Sequence, residues 1–588
     1  MLHSDTPPPS TATSAAPTEP AAPADPVPAD GHEPPARRRP LRRRLALPAV
    51  VTVVLQAILV AGDRQPSIDA LAYLEAGRNL LDGNGFVRQG SPELHFPPVT
   101  AIGLAGLERL TGDEMHGVWL WNLGWGLITV ALLTAIAWWI SRDDDVTVAT
   151  AWLSTTVGGL IALSIRGGAG SELPACALIL ASALLVLVVL DPRARRGLPA
   201  VLAGLAGAGV LVGLAYLTRP ESLFPGATVG AVALVLLARD TRRGGGTASR
   251  TATVVATAAV AFGLAVGAFV VPYVAYGHAH TGHWAVTSKT KDASIEAWRD
   301  VARNDRLARD QVLYEIQPDG VSLGPDTRPL TVLAHEDPGG WLGIIGINAL
   351  SIGRFYLLWQ ILPLFLLVPA LAKLWATQRQ RATVLLAAVA AWPLVTCLLF
   401  FTQSRYLMLT TATLIPFGCW GLVDWTRRRS ATGRRRAWWA IGALSVLSLV
   451  VGAWPLLPGS PNPERTEQRT AGRWIAANTP EGARVMTRSF HVQAYGDRPV
   501  VALPYGDLDE VLAYARRMGV TYLVADETSI ARRRPELDGP LLGQRTAPPG
   551  LRLVHEFTER DRTVRIFELD PPAPPTDEPP RPLGYVGD

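Results

Sequence analysis

Apolar runs of about 18 to 25 residues recur along the chain, each long enough to cross a hydrocarbon core of about 30 Å as a helix. They predict spans at roughly 45–62, 118–140, 146–165, 172–190, 198–217, 222–239, 251–276, 350–371, 381–401, 405–424 and 437–456, about eleven by the hydropathy rule. The predicted fold class is a polytopic α-helical membrane protein, with its membrane domain over 45–456 and two long loops, 63–117 and 278–348. Beyond 457 the pattern changes. "AGRWIAANTPEGARVMTR" reads as helix, turn and strand, "DLDEVLAYARRMGVTYLVAD" as an amphipathic helix feeding a buried strand, and "LRLVHEFTERDRTVRIFEL" as a hairpin. These predict a small C-terminal α/β domain over 457–570. Residues 1–44 read as a disordered Pro/Ala-rich tail with a basic stretch, and 571–588 as a Pro-rich tail. No internal repeat is visible.

Composition agrees with the membrane reading. Of 588 residues, 48% are hydrophobic and only 18% charged, against about 25% charged in soluble proteins. The net charge of +5 comes from arginine clusters between apolar runs, which reads as membrane topology rather than nucleic-acid binding. If "RRRPLRRR" is cytoplasmic, the inner connections read "SRDDD", "DPRARRG", "DTRRGGGTASR", "AKLWATQRQ" and "WTRRRSATGRRR". All but the first are basic, as the positive-inside rule requires. The expectation is a multi-pass plasma-membrane protein whose first span is retained, with a cytoplasmic N-terminus and an extracytoplasmic C-terminal domain. Cys176, Cys397 and Cys419 all lie in apolar runs, so neither a disulfide framework nor a metal site is indicated. "GGG" at 244–246 follows no strand, and no nucleotide motif faces the cytoplasm. An ATP-driven pump is disfavoured.

Charges stand out at span ends on the outer side: Asp69, Glu172, Arg219, Glu221 and Arg405, with Tyr73 one turn beyond Asp69. Charge at a membrane edge is costly unless paired or hydrated, so such residues are functional-site candidates. The acids could activate a hydroxyl or hold a divalent metal, and the arginines could grip a phosphate. Each also has a plainer reading. Asp69 and Glu172 fit helix starts, Tyr73 an interfacial anchor, and Arg219 and Arg405 snorkelling anchors. His278, His280 and His283 are close enough to suggest zinc, but no fourth ligand supports it. "SKTKDASIEAWRDVARN" reads as a surface helix that could close over an acceptor.

"DALAYLEAGRNLLDGNGF" followed by "HFPPVTAIGLAGL" resembles the first outer loop of the GT-C superfamily of integral-membrane glycosyltransferases, in the branch of aminoarabinose transferases and protein O-mannosyltransferases. Asp69, Tyr73, Pro97 and Pro98 match that loop. "GSELPACALILASALL" is similar to a second acidic motif, with Glu172 where the branch often has Asp. "GLAYLTRPESLFPG" and "SRYLMLTTATLIPFG" resemble later motifs and carry Arg219 and Arg405-Tyr406. One departure stands out: where relatives place Lys before Pro-Pro, this chain has His95-Phe96, and a neutral imidazole is a poorer phosphate partner than a fixed cation.

The resemblance implies a GT-C-like fold and a hexosyl or pentosyl transferase of the cell envelope. The donor is a polyprenyl-phosphate-linked sugar held in an apolar groove among membrane lipids. The acceptor is a glycan, lipid or protein. Asp69 is implied as the general base of an inverting transfer, and Glu172 as an acceptor-orienting or metal-holding acid. Tyr73, His95, Arg219, Glu221, Arg405 and Tyr406 are implied as substrate-binding residues. No cofactor is implied for certain; a divalent metal is left open. The alternative is a transporter or flippase of a lipid-linked or anionic substrate. It should show internal symmetry and interrupted helices with midplane charge, and the sequence displays neither. A scaffold presenting the C-terminal domain would not need acids and arginines at separate span ends.

Overall fold

The computed structural model describes residues 40–60, 65–156, 170–194, 196–287, 310, 314–317, 320–321, 334–358, 362–400, 402–453, 465–574, 576–577 and 583. The membrane domain contains α1 (Leu41–Val60), α4 (Glu114–Ser141), α5 (Asp144–Thr156), α6 (Glu172–Val189), α7 (Leu198–Tyr216), α8 (Leu223–Arg243), α9 (Ala248–Thr281), α10 (Pro338–Leu357), α11 (Leu364–Ala376), α12 (Arg381–Leu399), α13 (Met408–Arg427) and α14 (Ala431–Ala453). Seven described helices are long and apolar enough to cross a membrane: α4, α6, α7, α8, α9, α12 and α13. The predicted spans 45–62 and 437–456 coincide with α1 and α14, and 146–165 with α5 as far as it is described. Helices α6 and α13 are innermost, with 78% and 83% of their apolar windows buried.

The predicted span 350–371 is not one helix. It is split between α10, which starts at Pro338, and α11, which starts at Leu364. Pro363 sits extended at φ −62°, ψ 144° ahead of α11. Proline lacks an N–H and disfavours helical geometry in the residue before it, which suits Pro363 to the start of a new helix. Asn348 donates to the Leu398 and Phe400 carbonyls at the end of α12, at 3.1 and 3.3 Å. Tyr356 meets Thr411 near the start of α13, at 3.3 Å. Lys373 then pairs with Asp424 near the other end of α13. Helix α10 is therefore tied to the end of α12 and the start of α13, while α11 packs along α13.

At the end of the bundle where α13 begins lie α2 (Ile68–Leu81), the hairpin β1–β2 (Val87–Arg88, Ser91–Pro92) and α3 (Pro98–Thr111). Pro98 opens α3, a position where a missing N–H costs nothing. A side chain at Gly77 would collide with the Ala101 carbonyl, so α2 and α3 touch backbone to backbone. Val99 N–H donates to the Leu217 carbonyl at 3.1 Å, fastening this layer to α7.

The C-terminal domain is a five-stranded sheet of order β6-β5-β7-β9-β8, with β3 (Ile316–Gln317) and β4 (Gly320–Val321) a separate antiparallel pair. Strands β5 (Val485–Thr487), β6 (Val500–Ala502) and β7 (Tyr522–Asp526) run parallel, while β8 (Leu551–Glu559) and β9 (Arg562–Leu569) form an antiparallel hairpin. The domain rests on the loop layer. His491 Nε2 lies 3.2 Å from the Pro66 carbonyl, and Tyr495 donates to Glu114 at 2.6 Å. Asp310, from the long loop, is buried among Arg488, Arg533 and Arg534 of the domain. Burial works against its carboxylate, but these guanidiniums still pull the carboxyl down to about 2.

Several predicted boundaries move. Leu41–Arg44, read as tail, form the first turn of α1. The loop 278–348 is shortened at both ends, because α9 continues to Thr281 and α10 begins at Pro338. Part of the tail beyond 571 is docked rather than loose: Leu583 is fully buried and its carbonyl accepts from Gln493 at 3.0 Å. Residues 1–39 and the stretch "SKTKDASIEAWRDVARN" lie outside the described residues.

Candidate active site

Four chain segments deliver charge to one place. Ser67 caps α2 by accepting from Ala70 N–H at 3.1 Å, so Asp69 is a first-turn acid, not the cap. Glu172 opens α6 behind Ser171, whose side chain makes no capping bond. Arg219 precedes Pro220 and is therefore extended, at φ −150°, ψ 116°, which ends α7 and turns its side chain out of the helical path. Arg405 sits in the single 3₁₀ turn Ser404–Leu407 ahead of α13.

The side chains form an alternating chain of charge. Arg405 Nη1 donates to Asp69 Oδ2 at 2.7 Å, and Arg405 Nε lies 3.5 Å from Glu172 Oε1. The same Glu172 oxygen accepts from Arg219 Nη1 at 2.6 Å. Arg219 Nε lies 3.7 Å from Glu221 Oε2. Three acids thus alternate with two guanidiniums. The Tyr406 ring sits under both cations, 5.1 Å from the Arg219 guanidinium carbon and 5.2 Å from that of Arg405, within cation–π range. Glu172 is nearly sealed, its side chain 6% exposed, whereas Asp69 keeps 24%.

Tyr73 is buried, not an interfacial anchor. Its ring meets Phe96 edge-on at 4.6 Å. Burial pushes its phenol far above the ordinary tyrosine range, against a hydrogen bond with Ser171 that works the other way. Ser171 also accepts from Arg219 at 3.3 Å, so Tyr73 joins the charge chain through it. Gln403 accepts from Arg405 Nε at 2.8 Å. Neither Ser171 nor Gln403 stands out in the sequence, although one immediately precedes Glu172 and the other lies two residues before Arg405. His95 is placed differently. Its N–H donates to the buried Glu93 at 2.7 Å and its ring packs on Phe96 at 4.8 Å, so it reaches Tyr73 through Phe96. Phe96 itself is core, 4% exposed.

Among the described residues, no group of three or more His, Cys, Asp or Glu is arranged to hold a metal ion. Asp69 and Glu172 already face guanidiniums, a donor set unlike the six to eight oxygens that a hard cation such as Ca²⁺ collects. The three histidines are dispersed: His278 stacks on Trp284 at 4.0 Å, and His280 meets Tyr276 at 4.6 Å.

No family model and no curated protein matches the chain. Solved structures do. The oligosaccharyltransferase AglB from Archaeoglobus fulgidus, in complex with an inhibitory peptide and a dolichol-phosphate, superposes with a TM-score of 0.55 at 13% identity, over 84% of this chain and 70% of that one. ArnT from Cupriavidus metallidurans, bound to undecaprenyl phosphate, gives 0.51 at 13% identity over 88% and 97%. The mycobacterial arabinofuranosyltransferase AftD gives 0.50 at 15% identity, over 90% of this chain and 40% of its own. These neighbours are GT-C glycosyltransferases. The chain carries the fold of the GT-C membrane enzymes.

Proposed function

We propose that the protein is an integral-membrane glycosyltransferase that moves a sugar from a polyprenyl-phosphate donor to an acceptor at the outer membrane face, with inversion at the anomeric carbon. The observation that carries this reading is the chain Asp69–Arg405–Glu172–Arg219–Glu221. It gathers a partly accessible acid and two guanidiniums at the end of a GT-C fold. AglB and ArnT were each solved with a polyprenyl phosphate, which supports that donor class.

In this mechanism Asp69 takes the acceptor proton, and must come within about 3 Å of it. At rest Asp69 is engaged by Arg405 at 2.7 Å. A donor phosphate is a bidentate partner for a guanidinium. On arrival it competes for Arg405 and releases Asp69, so the base is unmasked only when the donor is bound. Arg405 and Arg219 then stabilise charge growing on the leaving phosphate. Glu172 holds both guanidiniums in register, and Tyr406 supports them from below. Because Phe96 stands where relatives carry lysine, phosphate recognition rests on these two arginines, with His95 as an outlying contact. A divalent metal is the competing partner for the carboxylates, and chelation tests it.

Among the described residues, the interrupted segment α10–α11 is a feature that favours a transporter. Against it, the described chain of acids and arginines gathers at one end of the spans rather than at their middle. The experiment is to reconstitute the protein in vesicles with labelled polyprenyl-phosphate sugars and to follow both product and leaflet. Label leaving the lipid for a new product supports transfer. Label that changes leaflet while still on its lipid would overturn it in favour of transport.

A further inference from the structure

We infer that the protein holds an anionic phospholipid in a groove between α1, α5, α13 and α14, at the end of the bundle remote from Asp69. The groove is a cavity of about 620 Å³. From Arg405 to Arg427 along α13 is 22 residues, about 33 Å at 1.5 Å per residue, a full hydrocarbon thickness of about 30 Å. This site is therefore separate from the sugar chemistry and does not depend on it.

Its two ends differ. The walls are apolar, with Trp152, Trp438, Ile441 and Val446 facing the space. The mouth is ionic, ringed by Arg44, Asp145, Arg427 and Arg434. Arg44 donates to Asp145 at 2.6 Å. Arg427 donates to Asp145 at 2.7 Å and also pairs with Asp143. Asp143 and Asp145 are thus both engaged by arginines, and Arg434 is a further cation at the mouth, exposed and with no described ion pair. Along α14 the lining runs from Arg434 to Val446, twelve residues or about 18 Å. The space lies along the helices, cationic at the membrane surface and apolar toward the midplane. A phosphate headgroup with an acyl chain below it matches that gradient.

The groove exists because α14 turns a thin face to the bundle, on which Ile441 is the one large apolar side chain among the described buried positions. Its described buried positions are Ala437, Ile441, Ser445 and Ser448. A Cβ on Gly442 would meet nothing within 4 Å. Protein interiors leave few voids larger than a water molecule, and an unfilled apolar space forfeits dispersion contacts. A lipid supplies them. The positive charge of Arg434 selects an anionic headgroup, as basic residues near a membrane surface do.

The test uses the full-length protein, delipidated in detergent and titrated with phosphatidylglycerol or phosphatidylcholine of identical chains, with bound lipid counted by native mass spectrometry. Wild type should hold one phosphatidylglycerol per chain in preference to phosphatidylcholine. Arg434→Ala should cut that preference about fivefold. Gly442→Phe, whose side chain enters open space, should abolish the bound lipid while the protein elutes as before. Equal binding of both lipids to wild type would overturn the inference. So would unchanged binding in Gly442→Phe, or a polyprenyl phosphate displacing phosphatidylglycerol from this groove.

Discussion

Helix α13 has an arginine–carboxylate network at each end, and the two differ in burial and in reach. At the Arg405 end, Glu172 is 6% and Arg219 16% exposed, and the network draws acids from the starts of α2 and α6 and from the turn before α8. At the Arg427 end, Arg427 is 38% and Asp145 32% exposed, and the acids come from the neighbouring turn "SRDDD". The same residue types serve two ends. An exposed pair is worth about 0–1 kcal/mol, and the Arg427 network is a tie between helix ends. It also accounts for two acids of that connection, Asp143 and Asp145, which pair with Arg427 and Arg44. A buried pair carries a desolvation cost that its own attraction often fails to repay. Such an arrangement at Glu172 calls for a ligand or a reaction to explain it.

Substitutions sharpen that contrast. The largest effect is expected at Asp69: Asp69→Asn should lower transfer about 10²–10⁴-fold, the range supplied by a general base, read as labelled product per folded protein. Arg405→Ala should cost about 10²–10³-fold and weaken donor binding. Arg405→Lys should recover only part of this, since an ammonium cannot bridge Asp69 and Glu172 as a guanidinium does. Glu172→Gln should be milder in turnover but should lower thermal stability, because it takes from Arg219 the nearer of its two described acid partners. Chelation with EDTA should leave turnover unchanged; its loss, with recovery on adding a divalent cation, would reassign the carboxylates to a metal. At the other end, Arg427→Ala should leave transfer unchanged and lower stability by about 1 kcal/mol. A large loss of transfer there would erase the distinction between the ends.

Much of this contrast was legible in the sequence, and what was missed has physical causes. Apolar runs gave most of the helices because length and hydropathy alone decide whether a helix spans. The break before α11 escaped, since "LLWQILPLF" stays apolar across it and only Pro363 marks it. The charges at the span ends could be sorted to one side, but not paired, because Asp69 and Arg405 are 336 residues apart. Ser171 and Gln403 were hidden as ordinary polar residues beside Glu172 and Arg405. Tyr73 read equally well as an anchor until Phe96 and Ser171 were found packed around it. The groove beside α14 left no trace in the sequence, as it depends on how Ala437, Gly442, Ser445 and Ser448 happen to face the bundle.

The most direct test of the central claim is to measure donor binding and transfer separately in Asp69→Asn. If Arg405 masks the base until the donor phosphate displaces it, the variant frees Arg405 in advance. It should bind the polyprenyl-phosphate sugar at least as tightly as wild type and transfer almost none of it. Transfer at the wild-type rate would contradict the assignment of Asp69 as the base. Weakened binding would contradict the proposed competition between Asp69 and the donor phosphate for Arg405.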